Sequence, residues 1–142
     1  MIHHLHRIAK EEKIQLRRTY IKEIKGHRIS LRFFRHPKKI KKARAAMKRL
    51  GTIVGILIRD ISRNLGDAQL AKHKEAFELY EKVISQKKKD SNKVYSLHES
   101  HIYAVAKGKD HKKYEYGTKA SLVTTMKSNI IIGAVAHKKN EH

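Results

Sequence analysis

Seven apolar residues, Ile40, Ala43, Met47, Leu50, Val54, Leu57 and Ile61, recur at alternating intervals of three and four. On a helix of roughly 3.6 residues per turn that spacing draws one narrow stripe, a seam of the coiled-coil kind. The seam commits this stretch to a long helix that packs along one side. Pro37 suits the first helical turn, where its missing N–H is no loss. Ile53, Ile56 and Ile58 widen the apolar surface, so more than one neighbour is expected to bury the end of this helix.

The neighbours are also helical in pattern. Ile2, Leu5, Ile8 and Ala9 form a short apolar face. Ile14, Ile21, Ile24, Leu31 and Phe34 form a second, weakened by Gly26 and expected to stop near His36, because proline disfavours a helical predecessor. Asn64-Leu65-Gly66-Asp67 reads as a stop followed by a fresh cap. Leu70, Ala76, Phe77, Tyr80, Val83 and Ile84 then give a fourth pattern, which ends in the polar stretch 86–92.

Beyond that stretch the period falls from that of a helix to that of a strand. Segments 93–97, 103–107, 114–125 and 129–137 are rich in Val, Ile, Thr and Tyr, with turn residues between them. The last two segments, joined through Met126-Lys127-Ser128, form an expected hairpin. The expected class is α+β: a basic helical region of about four helices over residues 1–90, then three or four antiparallel strands over residues 91–142.

Charge narrows the function. The chain of 142 residues carries a formal charge of +21. Such a charge opposes compaction and calls for an anionic partner. It is uneven: residues 1–64 hold 19 Lys and Arg against 4 acids, and all ten arginines lie at or before Arg63. The arginine fork suits bidentate phosphate contacts better than the lysine point charge. No apolar run is long enough to span a bilayer. The start of the chain lacks the apolar core and small-residue cleavage site of a signal peptide. No cysteine is present, which removes disulfides and thiolate metal sites and fits a reducing cytoplasm.

Two basic groups are candidate phosphate contacts. Lys25, Arg28, Arg32 and Arg35 are spaced three, four and three, one face of a helix, with Lys38, Lys39 and Lys42 continuing past Pro37 and Glu23 as a nearby counterion. Cations at one-turn spacing can follow a phosphate backbone without reading bases. Lys107, Lys109, Lys112 and Lys113 crowd a turn around Gly108. No recognition-helix signature or base-stacking motif stands out, so sequence-specific readout is not expected. His3, His4, His6, His98, His101 and His111 have few acids near them and read as surface histidines rather than metal ligands.

Lys93–Gly117, KVYSLHESHIYAVAKGKDHKKYEYG, mixes rare choices in one order: Leu97-His98-Glu99, Lys107-Gly108-Lys109 and Tyr114-Glu115-Tyr116-Gly117. It resembles a segment of the DDE transposases of bacterial insertion sequences, whose catalytic domain is similar to ribonuclease H. Arg17-Arg18-Thr19-Tyr20, the basic run 38–42 and Ile58-Arg59-Asp60-Ile61 extend the likeness more loosely. The resemblance implies a helical insertion followed by part of a ribonuclease-H-like sheet, in a bacterial cytoplasmic protein of DNA transposition. In that family an Asp-Asp-Glu triad holds divalent metal, magnesium, for in-line attack on phosphorus.

None of Asp60, Asp67, Asp90 and Asp110 matches a triad position. The expectation is therefore an internal piece of such a transposase. It carries no catalytic residue, metal ligand or cofactor of its own, binds DNA through phosphates, and partners DNA and possibly a full-length transposase chain. The alternatives are a self-standing, non-enzymatic RNA- or ribosome-associated binder and, ranked below it, a helix bundle held on an anionic membrane surface.

Overall fold

The computed structural model describes residues 1–106, 108 and 113–137. The chain divides into two compact units, Met1–Ser85 and Gln86–His142. The first holds α1 (Ile2–Glu11), α2 (Ile21–Leu31), α3 (Ile40–Ser62) and α4 (Asp67–Ser85). The second holds β1 (Tyr103–Ala106), β2 (Tyr114–Gly117), β3 (Lys119–Thr124) and β4 (Ile131–His137). The fold is α+β, with helices and strands segregated along the chain.

Helix α3 is the axis of the first unit, and α1, α2 and α4 each pack on it. Leu5 and Ile8 of α1 meet Ile53, Leu57 and Ile61 of α3 in a core where all five are fully buried. Ile24 of α2 and Phe77 and Tyr80 of α4 complete it. A Cβ on Gly55 would stand 3.4 Å from Arg59 Nη1 and 3.5 Å from Ile84 Cδ1, so the missing side chain lets α4 come close. His4 Nδ1 and the Tyr80 hydroxyl lie 2.7 Å apart, linking the polar ends of α1 and α4.

The seam holds over the second half of α3 and shifts in the first. Met47 is 52% exposed, while Ala46 is buried beside Ala43. The first half of α3 is covered on one side, and Met47 falls outside that side. The second half is buried more broadly, taking in Ile53, Gly55 and Ile58.

Ile14 belongs to the end of α1 rather than to α2. Lys13 takes the left-handed conformation at φ 54°. The Ile14 amide then donates to the Ala9 carbonyl at 2.8 Å, and that of Lys13 to Lys10 at 3.3 Å. These are the two bonds of a Schellman cap, and its apolar residue packs back on the core. Helix α2 starts only at Ile21. It ends at Leu31 and tightens into turns whose amides at Phe33, Phe34 and His36 reach back three residues.

Strands β1 and β2 pair antiparallel, as do β3 and β4, in two separate two-stranded sheets. The β3–β4 turn is the expected one. Asn129 adopts φ 53°, and the Thr125 hydroxyl accepts the Ile130 amide at 3.0 Å. Two strand expectations change. Segment 93–97 forms no strand, because the Gln86 side-chain amide takes both backbone groups of Val94, at 3.1 and 3.0 Å. Segment 114–125 breaks at Thr118 into β2 and β3, which pair with different partners. The Lys119 amide just past the break donates to the Tyr103 hydroxyl at 2.8 Å.

Candidate nucleic-acid interface

Helix α2 buries Ile24, and Lys25, Arg28 and Arg32 stand exposed beside it. These three cations and Ile29 line one open concavity of about 420 Å³. Arg28 lies in the last turn of α2 and Arg32 caps its end, where positive charge meets the negative end of the helix dipole. Arg28 Nη1 is 3.4 Å from His3 Nε2, which brings an exposed side chain of α1 to the same cationic group.

Arg35 and Lys38 are exposed in the turns between α2 and α3. Lys39 extends over the Phe33 ring, its ammonium 4.1 Å from the centroid, a cation–π contact that leaves the residue exposed. Lys42 is exposed in the first turn of α3. Lys113 is exposed ahead of β2 in the second unit, while Lys107, Lys109 and Lys112 lie outside the described residues.

Glu23 is not the counterion of this stripe. Its carboxylate accepts Arg49 Nε at 2.6 Å and faces His27 Nε2 at 3.4 Å. Hydrogen bonding from Arg49 holds the Glu23 carboxyl below the usual carboxylate range. Among the described residues, Lys25, Arg32, Arg35, Lys38 and Lys42 enter no ion pair.

Sequence reasoning missed part of the face. Lys41, Arg44 and Lys48 are exposed on the side of α3 opposite Ala43, Ala46 and Leu50. Their spacing of three and four was a usable signal, the polar complement of the apolar seam. The pairing of Arg49 with Glu23 had no such signal, since it joins different helices.

The buried Asp60 and the half-buried Glu12 serve the fold. Asp60 Oδ2 accepts the Arg17 amide at 3.1 Å and so anchors the α1–α2 connection on α3. Glu12, with a side chain only 9% exposed, receives Lys72 and His73 at 2.8 Å and Gln69 at 2.7 Å from α4. Those bonds, Lys72 first and His73 next, lower its pKa to about 2. Among the described residues no three His, Asp or Glu converge as a metal site would require, and no helix is long and apolar enough to cross a membrane.

No family model, curated protein or solved structure matches the chain.

Proposed function

We propose that this protein binds DNA through its sugar–phosphate backbone, without reading bases and without cutting the strand. The observation that carries the reading is the shared concavity of Lys25, Arg28 and Arg32, while the one acid of α2, Glu23, is turned to Arg49. Arginine forks and lysine ammonium groups at one-turn spacing match phosphates at successive positions along a strand. Of the side chains between them, Gly26, Ile29 and Leu31 carry no base-reading group, His27 faces Glu23 and the Ser30 hydroxyl donates to the Gly26 carbonyl. Lys41, Arg44 and Lys48 extend the positive surface along α3.

The resemblance of Lys93–Gly117 to DDE transposases supports a role for this binding in DNA transposition, with a ribonuclease-H-like relation for the β unit and a full-length transposase chain as a second partner. The acids Glu12, Glu23 and Asp60 are held by their own structural partners, which agrees with a binding role rather than hydrolysis by this chain.

The test is direct. Two labelled duplexes of unrelated sequence are titrated with the protein and then incubated with magnesium or manganese. Equal affinities and no cleavage above a chelator control are expected. A strong preference for one sequence, or chelator-sensitive nicking, would contradict the proposal.

A further inference from the structure

Histidine is the side chain whose charge ordinarily changes between about pH 5 and 8. One histidine of this chain stands beside the cationic concavity. His3 is exposed in the first turn of α1, and its Nε2 lies 3.4 Å from Nη1 of Arg28, which lines the concavity with Lys25 and Arg32. A guanidinium has N–H donors and no acceptor. The imidazole nitrogen facing it must therefore accept, which makes this ring neutral, with its proton on Nδ1. A protonated ring would set a second N–H against that of Arg28, donor to donor and cation to cation. A phosphate between the two removes the conflict, because its unesterified oxygens accept from both.

We propose that His3 and Arg28 form a proton-coupled clamp on one phosphate of the DNA backbone. In the free protein the neutral ring bonds Arg28. On binding, His3 takes up one proton from water, and both cations meet the same phosphate group. The inference rests on the phosphate reading above and adds a pH dependence to it. The surroundings tie the proton to the ligand. On α1, Arg7 is paired with Glu11 at 3.7 Å, and the Met1 amino group lies two residues before His3. On α2, Lys25 and Arg32 bring further positive charge to the concavity, and the one acid, Glu23, is bonded to Arg49 of α3. On α4, Lys72 and His73 are held by Glu12, and the Tyr80 hydroxyl meets His4. Each acid among these groups already has a cationic partner, so a protonated His3 gains its counterion from a ligand.

The test is a pH series on the full chain. One labelled duplex is titrated with the native protein, His3→Gln and His3→Lys at fixed ionic strength, between about pH 8 and about pH 6, where a histidine changes charge. Over that range the native affinity should rise roughly three- to tenfold more than that of His3→Gln, the scale of one proton held up to about ten times more tightly beside phosphate. The comparison with His3→Gln subtracts the other histidines and the Met1 amino group, which both proteins share. His3→Lys carries a permanent cation, so it should bind more tightly than the native protein at the alkaline end and lose the extra pH response. His3 is exposed, and helical circular dichroism should be unchanged in both variants. Binding with the same pH response in the native protein and His3→Gln would overturn this inference and leave the phosphate reading standing. No binding at any pH in the series would end both.

Discussion

Arg49 Nε donates to Glu23 Oε1 at 2.6 Å, so the one acid of α2 faces α3 and forms no ion pair with Lys25 or Arg28 of its own helix. Arg49 and Glu23 hold two helices together, while Lys25, Arg28 and Arg32 line an open concavity. A single ion pair thus separates Arg49, which joins two helices, from the arginines proposed to meet phosphate.

The division predicts different phenotypes for neighbouring arginines. Arg28→Ala and Arg32→Ala should each weaken binding equally on all DNA sequences and lower the salt slope by about 1. Arg49→Ala should lower the melting temperature instead and leave the slope largely intact. Fluorescence anisotropy at several salt concentrations, beside thermal melts, separates the two effects.

Glu23→Gln should lower the melting temperature at neutral pH and raise DNA affinity by releasing Arg49. The folded pKa of Glu23 lies below its ordinary value of 4.5. Its stabilisation is therefore complete above pH 4.5 and fades as pH falls through the folded value. The melting gap between the native protein and the variant should narrow in that acidic window, as a pH series of melts would show.

Glu12 gives a wider window. Its pKa is lowered from 4.5 to about 2 by the bonds from Lys72 and His73. The unfolded chain takes up this proton first, so stability is lost progressively as pH falls from 4.5 towards 2. Glu12→Gln should destabilise the protein at pH 7 and flatten that acid limb. An unchanged acid limb in the variant would show that the α1–α4 link does not control acid unfolding.

Leu57→Ala removes a fully buried side chain where α1 meets α3. It should cost about 2–5 kcal/mol, the usual range for a large-to-small change in a packed core. Urea denaturation followed by helical circular dichroism measures the loss.

Much of this was legible in residue patterns. The interval of three and four placed α3, and the run 129–137 with its turn placed β4. What periodicity could not show was competition for backbone groups. Ile14 fits a helical stripe, yet Lys13 in the left-handed region turns it into a cap. Val94 sits in a β-rich segment, yet the Gln86 amide occupies the groups a neighbouring strand would need. The cationic residues of α2 could be chosen from their spacing, but the direction of Glu23 depends on where α3 brings Arg49. Lys41, Arg44 and Lys48 were readable and overlooked, because attention to the apolar seam leaves its opposite face unexamined.

The most direct measurement is DNA affinity against salt for duplexes of unrelated sequence. Engagement of six to ten phosphates predicts a fall of roughly 10³–10⁵-fold between about 50 and 200 mM salt, with one slope for every sequence. A flat response, or slopes that differ from one duplex to another, would contradict backbone binding by the face of α2 and α3.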